Sequence, residues 1–168
     1  MDLRPMDMDA ITERSVAVSP ELGPRAWAES SGGGTNSVRL LREAGLRPTR
    51  QRVRLAELLF GKGDRHVTAE MLHSEALEAD VYLSLATVYN TLNQFTQAGL
   101  LRRIGPDGSR SFFDTNTSVH PHFYLVGEDI LIDVPERLVL EQVPEALPGH
   151  EITRLDIIIH IRRKPGDM

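Results

Sequence analysis

The sequence predicts an α+β protein in which an N-terminal winged helix-turn-helix is followed by a small α/β domain with about three antiparallel strands. Two observations predict it. Apolar residues recur at helical spacing through the first half of the chain, and a basic hairpin follows. Beyond Asp114 the apolar residues alternate instead, which is typical of strands. The chain therefore divides into a mobile leader over 1–36, a winged helix over 37–114 and a second domain over 115–168.

The composition indicates a cytoplasmic protein without cysteine chemistry. The 168 residues are 40% hydrophobic and 26% charged, and no apolar stretch is long enough to span a membrane. Because the chain contains no cysteine, disulfides, thiolate zinc sites and cysteine nucleophiles are excluded. A metal site must then use His, Asp and Glu, which suit divalent iron, manganese or zinc.

The charge is unevenly distributed along the chain. Residues 1–36 carry a net charge of −3, residues 37–113 carry +3 and residues 114–168 carry −5. A basic middle beside an acidic end indicates two modules with different partners.

The N-terminal segment gives few signals for a folded core. Scattered Pro, Met and Ser and the run SSGGGTNS predict that 1–36 is mobile. Order is expected to begin at Asn36 or Ser37, either of which can cap a helix in SVRLLREAG that Gly45 ends.

Two further helices are predicted to begin at threonines. Thr49 can cap a helix over RQRVRLAELLF, and Thr68 can cap one over AEMLHSEALEA. Arginines crowd the first turns of the former helix at Arg50, Arg52 and Arg54.

The segment LSLATVYNTLNQFTQAGL predicts an amphipathic helix with an unusual polar face. An apolar stripe at i, i+3, i+7 and i+10 consists of Leu85, Val88, Leu92 and Phe95. The opposite face has no acidic residue and consists of Thr87, Asn90, Thr91 and Gln94, with Tyr89 beside them. Such side chains hydrogen-bond bases and phosphates, so this helix is expected to enter the major groove of DNA.

The segment LLRRIGPDGSRSFFD predicts a basic hairpin turning at Pro106-Asp107-Gly108. The last three of these four helices, followed by such a hairpin, give the order of a winged helix-turn-helix that binds double-stranded operator DNA. The predicted phosphate contacts are Arg47, Thr49, Arg50 and Arg52. The predicted groove contacts are Ser84, Thr87, Tyr89 and Asn90. The predicted wing contacts are Arg102, Arg103 and Arg110.

The last third predicts a small sheet that needs a partner. HFYLV, DILIDV and EITRLDIIIHIRR read as strands, while PERLVLEQVPEALPG fits a short helix or a strand equally well. A sheet this small leaves much of its core uncovered. We therefore expect a homodimer, which would also bring two winged helices to two half-sites.

Several residues around this sheet have side-chain nitrogen or oxygen atoms that could bind a metal. His120 and His122 in VHPHFYLV share one face of a strand. His66 is expected in the loop before the third helix, Asp114 at the domain junction and Asp133 at the end of the second strand. We expect Asp133 to lie opposite His122 only with a register offset. Taken singly, each of these residues also fits a purely structural role.

Three stretches together resemble the ferric uptake regulator (Fur) superfamily: RHVTAE, SLATVYNTLNQFTQAGLL and the His-x-His that follows the hairpin. The resemblance covers about residues 38–163 and implies a winged helix joined to a dimerisation sheet, with a metal at the hinge that sets the angle between the DNA-binding units. It implies five hinge ligands: His66, Asp114, His120, His122 and Asp133. Aspartates stand at two positions where glutamate is usual.

Two stretches, FYLVGEDILIDVPE and LDIIIHIRRK, more closely resemble the iron response regulator (Irr) branch. The paired Cys-x-x-Cys motifs of structural zinc are absent, and Val119 and Pro121 flank His120 where a second histidine-rich site would continue. This branch implies repression or activation of iron and haem genes, with haem weakening the hold on DNA. His120 and His122 are then the candidate haem ligands, and haem or a haem-delivering protein is a further partner. The alternative is a metal-activated Fur-type repressor that does not sense haem.

Two readings from other classes remain. A metal oxygenase could use His-x-His with a carboxylate, but it would need a deep barrel, for which the roughly 50 residues after Asp114 are too few. An interaction module would use the histidines structurally. We therefore expect a regulator that is not an enzyme and has no membrane partner.

Overall fold

The computed structural model of the protein describes residues 33–108, 110–135, 138, 140 and 142–166. In this part of the chain there are four helices: α1 (Gly33–Glu43), α2 (Arg50–Phe60), α3 (Ala69–Glu78) and α4 (Leu85–Gln97). The strands are β1 (His66–Val67), β2 (Arg102–Ile104), β3 (Phe112–Asp114), β4 (His122–Leu125), β5 (Ile130–Asp133) and β6 (Ile158–Ile161). None of the described helices is long and apolar enough to cross a membrane.

The first helix begins earlier than predicted. α1 starts at Gly33, so Asn36 and Ser37 lie inside the helix and do not cap it. Leu41 is fully buried in the core shared with α2. Such packing can stabilise a helix even when the glycines at its start are poor helix formers. Gly45, with φ +74°, follows the helix as predicted. Residues 1–32 of the predicted leader lie outside the described residues.

The predicted threonine caps are confirmed. The Thr49 hydroxyl accepts a hydrogen bond from the backbone N of Arg52, and the Thr68 hydroxyl accepts one from Met71 N. Ser84 does the same for Thr87 N at the start of α4. Each cap satisfies a backbone donor that the first turn of a helix leaves without an intrahelical partner.

The buried stripe of α4 differs from the prediction at two positions. Val88, Leu92 and Phe95 are fully buried as expected, but Leu85 is exposed in the first turn. Thr91, predicted on the polar face, is buried, and its hydroxyl donates to the carbonyl oxygen of Thr87. Because this bond satisfies the hydroxyl within the helix, Thr91 can face the core.

The first sheet has three strands in the order β1-β3-β2, all antiparallel. The sequence placed His66 in a loop, but the two-residue β1 pairs His66 with Asp114. On the other side of β3, Arg102 also pairs with Asp114. One row across this sheet therefore contains His66, Asp114 and Arg102.

The second sheet has the order β5-β4-β6 and is mixed. The fold class is confirmed, but the prediction of an antiparallel last strand is wrong, because β6 pairs parallel with β4. The predicted long final strand is limited to Ile158–Ile161. Before it, the described residues between 134 and 157 form neither helix nor strand. They cross over and bring β6 alongside β4 in the same direction.

The register of β4 and β5 also corrects an expectation. His122 lies directly opposite Asp133, so the predicted register offset is wrong. The four residues 126–129 form the turn, in which Gly127 and Asp129 both have positive φ. The division into 37–114 and 115–168 stays a prediction.

Candidate metal centre

The five predicted ligands converge where the two sheets meet. Each offers one ligand atom, and these atoms all lie within 4.8 Å of one another. The five residues, which we call the hinge cluster, are His66, Asp114, His120, His122 and Asp133.

Strand pairing explains this convergence. The first sheet supplies His66 and Asp114 as a cross-strand pair. The second sheet supplies His122 and Asp133 as another. Directly opposite residues on antiparallel strands have their side chains on the same face, close enough to interact. His120 precedes β4 by two residues and its side chain joins the same face.

All three imidazoles direct Nε2 towards the two carboxylates. Asp114 Oδ2 lies 3.2 Å from His120 Nε2, 3.4 Å from His122 Nε2 and 3.5 Å from His66 Nε2. Asp133 Oδ1 lies 2.9 Å from His120 Nε2, 3.0 Å from His66 Nε2 and 3.6 Å from His122 Nε2. Three nitrogens and two oxygens thus face one small volume.

The state of His66 shows that this set fits a metal ion. Its Nε2 is buried and makes no hydrogen bond within the part of the chain that is described, although Asp133 Oδ1 is close by. Buried polar atoms are nearly always satisfied, so such a nitrogen calls for a further partner. A divalent cation at the centre of the hinge cluster would provide it, and imidazole with carboxylate suits iron, manganese or zinc.

A backbone carbonyl orients one of the candidate ligands. His120 Nδ1 donates to the carbonyl oxygen of Ser118 at 3.0 Å. Because Nδ1 donates this bond, Nε2 is the nitrogen that faces Asp114 and Asp133, and it would offer a metal its lone pair once it gives up its own proton. The Ser118 carbonyl is thus an outer partner of the centre.

The cluster keeps its buried carboxylate charged. Burial alone would raise the pKa of Asp114, but the hydrogen bonds with His120 and His122 and the electrostatic attraction of nearby His66 outweigh it and hold this pKa well below its usual range. The bond with Asp114 likewise raises the pKa of His120 against the effect of burial. The centre is therefore anionic where a cation would sit.

The predicted DNA contacts occupy the winged helix, and most are exposed. The exposed ones are Arg47, Thr49, Arg50, Ser84, Tyr89, Asn90, Arg103 and Arg110. Thr87 is half-buried beside them. Arg110 also lies 3.3 Å from Asp129 in the turn between β4 and β5.

Arg52 is half-buried and joins two helices. Its Nε and Nη2 donate to Gln94 Oε1 on α4 at 3.1 and 2.9 Å, and its Nη1 donates to the carbonyl oxygen of Arg47. A guanidinium held at this many points positions α4 and the Arg47 loop relative to α2.

Arg102 departs from its predicted place on the DNA-facing wing. Only 7% of it is exposed, and it donates to the carbonyl oxygens of Ser118 and Leu155 and to the carboxylate of Asp156. The guanidinium is therefore hydrogen-bonded to partners inside the protein and cannot reach a phosphate from this position. Sequence reasoning missed Ser118 and Asp156 because they lie 16 and 54 residues from Arg102 along the chain.

The sequence model of the ferric uptake regulator family matches residues 43–160, which is more than half of the chain. The chain belongs to the ferric uptake regulator family. Members of this family are transcription regulators, which agrees with the expectation of a regulator and not an enzyme.

Named relatives of this Fur-family chain are about 30% identical to it over the aligned residues. The Ferric uptake regulation protein of Vibrio vulnificus is 30% identical over 129 residues, covering 76% of this chain and 86% of the relative. That of Pseudomonas aeruginosa is 31% identical over 127 residues, covering 74% and 95%.

Solved Fur structures share the fold. The Pseudomonas aeruginosa ferric uptake regulator with manganese is 29% identical, covers 76% of this chain and 98% of its own, and has a TM-score of 0.59. The Vibrio cholerae regulator, at 23% identity and a TM-score of 0.60, covers 75% and 98% and supports the fold alone.

Proposed function

We propose that this Fur-family chain is a metal-responsive transcription regulator that binds operator DNA as a homodimer and holds divalent iron, manganese or zinc in the hinge cluster. The convergence of three imidazoles and two carboxylates on one small volume carries the proposal. The Pseudomonas aeruginosa relative with manganese supports a divalent ion of this kind.

The DNA-binding half of the proposal is supported by the exposed polar side of α4. Asn90 and Tyr89 are exposed there, and the helix contains no acidic residue. Exposed arginines at the start of α2 and on β2, Arg50 and Arg103, can neutralise phosphates. We propose the exposed predicted residues and the half-buried Thr87 as contacts, with Arg52 positioning α4 and with Arg102 left out.

The homodimer is supported by apolar surface on the second domain. On the outer face of the second sheet, Phe123 lies between Ile132 and Ile159, and Leu125 lies between Ile130 and Ile161. Further exposed apolar residues are Val119, Val126, Leu138, Leu140, Val143, Leu147, Ile152 and Leu155. A sheet face on which six apolar side chains are neighbours is a surface that a second copy would cover.

The position of the ligands suggests how metal would control DNA binding. His66 belongs to the winged helix, while His120, His122 and Asp133 belong to the second domain. By holding one ion together, these residues would fix the angle between the two domains and so the spacing of the two α4 helices in a dimer. The effect is a population shift, which requires tighter metal binding in the DNA-competent geometry.

The haem-sensing form of the proposal rests on the Irr resemblance. The named relatives are both Ferric uptake regulation proteins and support the metal-responsive alternative better. The geometry also favours the alternative, since the ring centroids of His120 and His122 are 4.3 Å apart and His122 is 1% exposed. Haem iron could reach His122 only if the hinge cluster opened.

Fluorescence anisotropy on an AT-rich duplex with an inverted repeat tests the proposal. We expect chelator-treated protein to bind weakly, manganese-loaded protein to bind tightly, and haem to leave the loaded protein on the DNA. DNA binding that changes with none of manganese, zinc and ferrous iron would refute the metal-responsive function. Release by haem that His120→Ala with His122→Ala abolishes would establish the haem-sensing form instead.

Two substitutions on the winged helix should separate base contacts from phosphate contacts. Asn90→Ala is expected to cost about 1–3 kcal/mol at operators with adenine at the contacted position, with an unchanged salt dependence. Arg50→Gln should instead weaken binding to all sequences and lower the salt slope by about 1. Anisotropy across salt concentrations measures both, and equal losses on all duplexes for Asn90→Ala would exclude a base contact.

A further inference from the structure

We infer that Arg102 is a positioning residue of the metal centre, which holds the backbone on both sides of the ligands His120 and His122. The inference rests on the proposed function, since it concerns how the hinge cluster is kept in shape. It replaces the DNA contact that the sequence predicted for this arginine.

One carbonyl oxygen links Arg102 to His120. The Ser118 carbonyl accepts from Arg102 Nη1 at 2.7 Å and from His120 Nδ1 at 3.0 Å. The arginine therefore fixes the group that sets the orientation of the imidazole. Outer partners of this kind decide which ring nitrogen faces a metal and at what angle.

The same guanidinium holds the segment that supports His122. Arg102 Nη2 donates to the Leu155 carbonyl and pairs with the Asp156 carboxylate. The next residue, Ile157, accepts a hydrogen bond from the backbone N of His122 through its carbonyl at 2.9 Å. β6 then starts at Ile158, which lies beside His122 in the register. Arg102 thus stabilises the segment before β6, and that segment pairs with His122 at the start of β4.

Burial and charge make this contact strong enough to matter. Arg102 is 7% exposed, and a buried guanidinium needs both a charged partner and hydrogen-bond acceptors. Asp156 is the charged partner, and it also binds Arg154, whose Nη2 donates to the Arg103 carbonyl. Strand β2, the loop before β4 and the segment that leads into β6 are therefore joined at one side chain, in the row that also contains Asp114 and His66.

The test measures manganese affinity of the full chain by isothermal titration for the wild type, Arg102→Gln and a matched control. Arg162→Gln removes the same charge from an exposed position just after β6. We expect Arg102→Gln to weaken manganese binding about 10–100-fold, as loss of an outer partner typically does, and Arg162→Gln to leave it within twofold.

A spectroscopic readout separates positioning from stability alone. With cobalt in place of manganese, Arg102→Gln should change the visible absorption of the bound ion, because the His120 ring loses its fixed direction. Asp156→Asn removes the charge partner and keeps the arginine, so it should also weaken manganese binding and change the cobalt spectrum. This variant replaces Arg102→Gln in the test if circular dichroism shows that Arg102→Gln does not fold.

The outcomes distinguish a failure of this inference from a failure of the proposed function. If the wild type binds manganese while folded Arg102→Gln or Asp156→Asn binds it with unchanged affinity and an unchanged cobalt spectrum, Arg102 does not position the centre. If the wild type binds neither manganese nor zinc nor ferrous iron, the proposed function fails and this inference fails with it.

Discussion

Replacing His122 by alanine is expected to abolish metal-dependent operator binding. His122 is the most buried histidine of the hinge cluster, and its Nε2 lies 3.4 Å from Asp114 Oδ2. Loss of an outer partner alone costs about 10–100-fold in metal affinity, so loss of a ligand should cost more than about 100-fold. Manganese titration and anisotropy on one operator duplex measure the two consequences.

The matched control for this substitution is His150→Ala. His150 is exposed and lies outside the hinge cluster, so its loss should leave manganese affinity and DNA binding as in the wild type. Metal-independent DNA affinity should also be equal in both variants. Metal-dependent DNA binding that survives in His122→Ala would show that the cluster is not the controlling site.

Replacing Phe95 by alanine is expected to destabilise the winged helix by about 3–5 kcal/mol, the usual cost of removing a buried aromatic ring. Phe95 is fully buried on α4, and its ring centroid lies 6.4 Å from that of Phe60 on α2. The substitution leaves a cavity between the two helices. Urea unfolding of metal-free protein, followed by circular dichroism, measures the loss.

The control for the core substitution removes a large side chain that makes little contact with the core. Tyr82→Ala removes an aromatic ring that is 76% exposed, so it should change the free energy of unfolding by at most about 0.5 kcal/mol. A similar loss for both variants would mean that the core between α2 and α4 is not the main support of this domain.

Local chemistry explains why much of the winged helix could be predicted. Thr49 and Thr68 cap their helices as expected because capping depends on a hydrogen bond three residues away. The burial of Val88, Leu92 and Phe95 could be predicted for the same reason, because helical spacing brings residues three and four positions apart onto one face. The start of α1 at Gly33 could not be predicted this way, because glycines locally disfavour a helix.

The predictions that failed depend on contacts distant in sequence. The two-residue β1 is too short to show alternation, and it exists because β3 pairs with it. The burial of Arg102 likewise depends on Asp156, 54 residues away. The five predicted ligands came from the family resemblance, and strand register is what brings them together.

The spread of the hinge cluster along the chain, from His66 to Asp133, has a consequence for how long the protein survives in a cell. In an unfolded chain these side chains cannot meet, so a metal would bind almost only to the folded state. Mass action then adds about 2.7 kcal/mol of stability when free metal is 100 times the dissociation constant. Metal starvation would raise the unfolded fraction that proteases remove. The supply of metal would thus set the abundance of the regulator as well as its hold on DNA.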